Sequence, residues 1–282
     1  LLLLFNRDEF LDRETASAHF WADHPAVLAG RDLRRGGTWV GVTRAGRWSL
    51  LTNFRERCFS EPGAPSRGAL PTDFLTGTEA PAAYAARVAA DVAPSHNGFN
   101  LVVGDRHSAV YLTNRGPAGA PGYGTPVVLT PGVYGLSNGP LGGGPGMADG
   151  GASDPPTGWA KVDDGVASLR ALLASGALAC DTRTSPATSL PWGTLFGAGL
   201  MGRDARAASL PLTGIPPTIE SALSATFIPP AAGLLGGGGG SVVYGTRSQT
   251  GLAICADGRA ALVERSASVV GDEGGEGGGG GG

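Results

Sequence analysis

The sequence predicts an α+β fold with antiparallel sheet. Three observations carry that expectation. Apolar, alternating segments come in pairs around short polar turns, amphipathic helical stretches separate the pairs, and 41% of the 282 residues are hydrophobic, enough for a sizeable core.

The elements follow in chain order. "LLLLF" (1–5) is a short apolar run that reads as a buried strand, although its length alone leaves helix open. "TWVGVT" (38–43) and "WSLLTNF" (48–54) flank "RAGR", which predicts a hairpin. "GFNLVVGD" and "AVYLTNRG" flank Arg106, His107 and Ser108 as a second hairpin over 98–116. "VYGLSN" (133–138) adds a strand, and "GLAICADGRAALVERS" (251–266) turns at Asp257-Gly258 as a third hairpin. Trp39, Trp48 and Tyr111 sit in these strands as core residues.

Helices are expected at three places. Over 78–93, Pro81 occupies a first-turn position and Tyr84, Val88 and Val92 share a face. Over 161–175, Val162, Val166, Leu169 and Leu173 form one stripe, and Gly176 stands where a helix-ending glycine belongs. Pro216-Pro217 opens a third, with Ile219, Leu223 and Phe227 in register.

Residues 1–270 read as one domain. Gly/Pro-rich stretches at 139–157 and 231–241 read as low-complexity insertions, and 271–282 as a disordered glycine tail, because they offer little apolar surface against the entropy of ordering. The run at 236–240 lacks the Lys-Ser/Thr ending of a phosphate loop.

Net charge is −3, with pI about 5.8, which gives no electrostatic footprint for nucleic acid and no polybasic membrane patch. Lys161 is the single lysine; arginine carries the rest of the positive charge. Cys58, Cys180 and Cys255 are far apart and have no zinc-ligand spacing, so no metal is expected. His19 and His24 in "HFWADH" read as loop residues, as do His96 and His107, and none is assigned as a haem ligand. The four leucines are too short for a membrane span or a signal-peptide core. The start reads as that of a fragment, within an apolar run and without Met.

The run "NRDE" (6–9) sets an amide, a guanidinium and two carboxylates directly after the apolar run. On the residues alone it is a solvated strand end with an Arg–Asp pair, worth little. Neighbouring strand residues face opposite ways, so Arg7 and Asp8 share a pocket only if the strand ends between them; Glu9 is less secure than Asp8. Arg31 and Asp32 in "AGRDL" read as a local ion pair.

Taken together, "NRDE", "AGRDLRRGGTWVGVTRAGRWSLLTNFR", "SRG", "NGFNLVVGD", "TNRG", "YGLSN", "YGTRSQT" and "LVERS" resemble the NRDE family, also called the Transport and Golgi organisation protein 2 family. The blocks occur in family order across nearly the whole ordered chain.

The resemblance implies an Ntn-hydrolase-like αββα sandwich: stacked antiparallel sheets flanked by helices, here with the N-terminal strand missing. In that superfamily an N-terminal cysteine attacks an amide, with its own α-amino group as base. The resemblance places Arg7 and Asp8 beside that nucleophile, the cation lowering a thiol's pKa and the carboxylate holding an ammonium. Asn53 and Asn138 become candidate oxyanion donors, a role worth ~3 kcal/mol each, or else turn residues. Arg247 becomes a clamp for a substrate carbonyl or carboxylate, and Asn6 and Glu9 ligand-binding residues.

The family's Met-Cys start lies on a strand before NRDE. This chain has neither, and none of its three cysteines is N-terminal, so Ntn chemistry is not expected of it as given. Phe5 replaces a smaller family residue.

The function implied by the resemblance is a role in Golgi organisation and secretion and in haem or acyl-lipid handling. A small hydrophobic ligand, haem or acyl-CoA, would be held as cargo in the cleft, with no cofactor required. The alternatives are an amidohydrolase acting on N-acyl amides, inactive here without its nucleophile, and a Golgi scaffold. The implied location is cytoplasmic, with Golgi or mitochondrial association.

Overall fold

The computed structural model describes residues 1–55, 61, 63–116, 120–144, 158–178, 184–197, 210–211, 213–235 and 242–266. Its strands are β1 (Leu2–Phe10), β2 (Thr15–Phe20), β3 (Val27–Asp32), β4 (Val40–Thr43), β5 (Trp48–Asn53), β6 (Phe99–Gly104) and β7 (Ala109–Thr113), followed by β8 (Val127–Val128), β9 (Val133–Gly135), β10 (Gly142–Gly144), β11 (Ala231–Ala232), β12 (Val243–Ile254) and β13 (Ala260–Ser266). Its α-helices are α1 (Ala69–Thr76), α2 (Pro81–Arg87), α3 (Ala160–Ala174), α4 (Pro186–Ser189), α5 (Trp192–Gly197) and α6 (Pro217–Ala222).

The α+β class stands, with antiparallel pairing throughout the three sheets. Strands β2 to β8 form a seven-stranded sheet in sequence order. The four-stranded sheet centres on β12, which pairs β1 along one edge and β13 and β11 along the other. All three predicted hairpins form, as β4–β5, β6–β7 and β12–β13.

Side-chain alternation distributes the core. Leu3, Leu252 and Ile254 from the smaller sheet cluster with Val42, Trp48, Val102 and Tyr111 from the larger one and with Trp39, which just precedes β4. The other face of the large sheet buries Leu101, Val103 and Leu112 against Phe74 and Tyr84 of α1 and α2. The other face of the small sheet carries Leu2, Leu4 and Ala253 against Leu169 of α3 and Trp192 and Phe196 of α5. Period-two alternation therefore sends Leu3 and Phe5 to one core and Leu2 and Leu4 to another.

Several boundaries correct the sequence reading. β1 runs on to Phe10, because β12 is long enough to pair with every residue from Leu2. β9 stops at Gly135, and residues 136–138 of "VYGLSN" lie past its end. The helix expected over 78–93 is α-helical from Pro81 to Arg87, a π-turn over Val88–Val92, and then a 3₁₀ turn; Pro94, which cannot donate a helical hydrogen bond, sits in that last turn. The helix after Pro216 has six residues and does not reach Phe227; its buried helical residue is Glu220. α3 matches its prediction, with Gly176 at φ +73° closing it, although Leu173 is exposed. Within the two stretches read as insertions, Gly142–Gly144 pairs with β9 and Ala231–Ala232 pairs with β12. Residues 145–157, 236–241 and 267–282 lie outside the described residues, as do Cys58 and Cys180.

Arg31 and Asp32 do not pair with each other. As strand neighbours they face opposite ways: Arg31 holds Asp23 at 2.7 Å, and Asp32 takes Arg13 at 2.6 Å. His19 lies on exposed strand β2, not in a loop, and His96 is buried.

One close approach positions the site. A Cβ on Gly30 would lie 2.5 and 2.8 Å from ring carbons of Trp39, so only glycine lets that indole lie flat on β3. Gly30→Ala should destabilise the protein by ~1–3 kcal/mol through overpacking, read from urea unfolding followed by tryptophan fluorescence.

Candidate functional site

Among the described residues, β1 is paired on one edge only, by β12. A cavity of about 1030 Å³ runs along it, and every residue from Leu1 to Glu9 lines that cavity. The opposite walls come from β5 (Leu50, Leu51, Thr52, Asn53) and from α3 (Lys161, Val162, Gly165, Val166, Leu169). A paired strand would present one face to each side. An edge strand lets both faces, and the edge between them, border a single space.

This geometry answers how Arg7 and Asp8 come to share a pocket. The strand does not end between them. Arg7 stands opposite Ser248 and Asp8 opposite Thr246, so Arg247 is the extra residue of a β-bulge. Arg7 points toward the large sheet, where its guanidinium lies 4.1 Å over the Trp39 ring. Its Nη1 donates to Thr15 Oγ1 at 3.3 Å, and its Nη2 lies 3.5 Å from Glu9. Arg7 is 6% exposed, and desolvation lowers its pKa against the opposing pull of Glu9. Beside it, Trp39 Nε1 is buried with no hydrogen-bond acceptor among the described residues.

Asp8 lies on the α3 side. It accepts a 2.6 Å hydrogen bond from Thr246 Oγ1. Burial raises its pKa above the ordinary carboxylate value, with Lys161 and the Thr246 bond pulling the other way. Lys161 donates to the Leu223 carbonyl at 3.0 Å, and desolvation brings its pKa down to about 8 against the attraction of Asp8. Tyr244 borders the same region; its hydroxyl pKa is raised by burial and then by Asp8 and Glu9.

A second polar group follows β5 and reaches the cavity through Asn138. Arg55 pairs with Glu220, which is 3% exposed, and donates to Asn138 Oδ1 at 3.1 Å. Thr213 Oγ1 donates to the other Glu220 oxygen at 2.5 Å. Asn138 Nδ2 donates to the Asn53 backbone carbonyl at 2.8 Å, so one of its two donors is engaged in joining loop to strand. The Asn53 side chain lies on the cavity, exposed, with no hydrogen bond among the described residues. Asn6 donates to the Thr226 carbonyl at 2.6 Å and accepts from Gln249 at 3.3 Å. Glu9 lies between Arg7 and Arg13, at 3.5 and 3.6 Å.

Of the residues singled out in the sequence, Asn6, Arg7, Asp8, Glu9, Asn53 and Asn138 all line the cavity. Arg247 does not. Its Nη1 donates to the carbonyls of Leu11 at 2.8 Å and Arg13 at 2.6 Å, holding the turn after β1. The bulge diverts it there, out of step with its neighbours on β12.

The residue missed by sequence reading is Lys161. Its being the single lysine was visible, but nothing in the order of residues placed it opposite Asp8. Among the described residues no cluster of His, Cys, Asp and Glu is arranged to hold a metal ion, and no helix is long and apolar enough to cross a membrane. Cys255 follows β12 and is not among the cavity residues.

Comparison with known proteins places this arrangement in a family. The model for "Transport and Golgi organisation 2" matches residues 1–268. The mouse (Mus musculus) Transport and Golgi organization 2 homolog is 37% identical over 146 residues, covering 49% of this chain and 50% of its own length. The human (Homo sapiens) Transport and Golgi organization protein 2 homolog is 38% identical over the same length, with the same coverage. The chain spans about half the length of the curated relatives it matches. With every described residue inside the matched range, the chain belongs to the Transport and Golgi organisation 2 family.

Proposed function

We propose that the cavity along β1 holds an elongated hydrophobic molecule with a polar end, of the haem or acyl-CoA class, as part of a role in Golgi organisation, secretion and haem or acyl-lipid handling. The observation that carries this reading is the cavity's two-part lining. Phe5, Leu50, Leu129, Val166 and Leu169 provide apolar walls, and Arg7, Asp8, Asn53 and Lys161 gather polar groups among them. Its volume of about 1030 Å³ matches the upper range of small-molecule sites. No resident cofactor is needed, and the implied location is cytoplasmic with Golgi or mitochondrial association. The clustering of α1 and α2 on one sheet and of α3 and α5 on the other supports an Ntn-type αββα layering around the cleft.

Equilibrium titration with haem, and separately with palmitoyl-CoA, tests the proposal. Saturable one-to-one binding of either, with Kd of about 1 μM or tighter, is expected. Linear, unsaturated uptake of both would overturn it.

A second reading is favoured by one observation: among the described residues nothing pairs with the edge of β1 away from β12, beside Arg7 and Asp8. A preceding Met-Cys strand seated on that edge would bring an N-terminal thiol to those two residues and make the protein an N-acyl amidohydrolase. Adding such a strand and screening N-acyl amides should give turnover that disappears on replacing the added Cys or on Arg7→Met. Turnover indifferent to both would sink this reading.

A further inference from the structure

The amine of Lys161 is the chemically unusual group of the cavity, and neither reading gives it a reaction. Lys161 opens α3 at the cavity wall, keeping some exposure as a residue while its amine end sits deep in protein. Three charged groups act on it: Asp8 from β1, Arg55 after β5 and Glu220 from α6. Arg55 and Glu220 neutralise each other in direct contact. Asp8 is hydrogen-bonded by Thr246, and Lys161 by its donation to Leu223; among the described residues the two share no ion-pair contact within 4.0 Å. The site therefore sets an amine and a carboxyl on one cavity without letting them quench each other.

We propose that Lys161 condenses with the aldehyde end of an aliphatic molecule seated in the cavity, forming an imine, with Asp8 moving the protons. The inference rests on the cavity reading above and names a carbonyl class of occupant. The amine lone pair attacks the carbonyl carbon, forming the C–N bond and an alkoxide. Asp8 carries the two N–H protons of the amine to that oxygen, one after the other, the second as the C–O bond breaks. The C–O bond then breaks, water leaves, and the C=N bond forms. One amine and one aldehyde give one imine and one water, with no redox partner.

The electrostatics suit each step. Desolvation brings the amine to about 8, so about a tenth of it is neutral and nucleophilic at pH 7. The raised pKa of Asp8 lets it carry a proton closer to neutrality than an exposed carboxylate can.

The test uses the full chain with octanal and sodium cyanoborohydride, followed by peptide mapping by mass. The single lysine makes the readout unambiguous against the α-amine of Leu1. Octyl addition at Lys161 is expected, with a rate midpoint near pH 8 and competition by 1-octanol. Asp8→Asn should slow it by about tenfold or more. Addition confined to Leu1, or addition at Lys161 only above about pH 10 as for an exposed amine, would overturn the proposal. Binding of 1-octanol, which has no carbonyl, separates the two claims. No saturable octanol binding removes the cavity reading itself, whereas octanol binding without reductive trapping at Lys161 removes only the imine.

Discussion

Arg55→Ala is expected to destabilise the fold by ~3–5 kcal/mol in urea unfolding at pH 7. Glu220 is 3% exposed, and its charged partner is Arg55. Removing the guanidinium strands a carboxylate among protein atoms, with the Thr213 hydroxyl, at 2.5 Å, the one side chain among the described residues still donating to it. The same change removes the hydrogen bond to Asn138 at 3.1 Å and a stacking contact 5.1 Å from the Trp159 ring centre. The loss belongs mainly to the orphaned partner. Arg55→Ala combined with Glu220→Leu should therefore recover most of it, since an apolar replacement of both partners is often neutral. A single-mutant cost below ~1 kcal/mol, the size of an exposed pair, would mean that Glu220 reaches water.

The second large effect appears at alkaline pH. Lys161 has a folded-state pKa of about 8 against an ordinary 10.5. Below 8 both folded and unfolded chains hold the proton, and the folded state bears the desolvation cost. Between 8 and 10.5 the unfolded chain still binds a proton that the folded chain has released, so this group's contribution to stability rises with pH. The stability of the parent minus that of Lys161→Met should therefore climb by ~3 kcal/mol from pH 8 to 10.5, read from paired urea curves. A difference that stays flat would place the amine in solvent. Asp8 acts in another window. Its pKa is raised, so its contribution falls as pH rises from 3.8 through the folded value and is constant above it.

What could be read from the order of residues follows the range of the interactions. The hairpins were legible because turn residues and alternation lie within a few positions of each other, as around Asp257-Gly258. The start and stop of α3 were legible for the same reason. β2 and β3 were not. "TASAHF" is mostly polar or small, and "VLAGRD" carries a glycine and two charges, so the large sheet supplies what local propensity lacks. α1 was hidden by Pro71, which the third helical position tolerates because its N–H needs no helical partner there.

The site divides in the same way. Asn6 to Glu9 stood out as a polar knot after an apolar run and as the start of a family resemblance. That they border one cavity depends on β1 being an edge strand, which no local pattern encodes. Arg247 looked equivalent to them in its motif. Its register past the bulge, set by pairing with a strand some 240 residues away, sends it to the carbonyls of Leu11 and Arg13 instead. The encounter of Asp8 with Lys161 likewise needs α3 folded back over β1.

The central claim is that a hydrophobic molecule occupies the space between β1, β5 and α3. Gly165 gives the most direct test, because it lines that space and a Cβ there would meet nothing within 4 Å. Gly165→Leu should therefore leave the fold intact, or stabilise it by ~1 kcal/mol through helix propensity, while projecting a side chain into the cavity. Titration of this variant with whichever of haem or palmitoyl-CoA binds the parent should show affinity weakened by about tenfold or more, with undiminished stability in urea. Unchanged affinity for the ligand would place it elsewhere on the molecule and contradict the account.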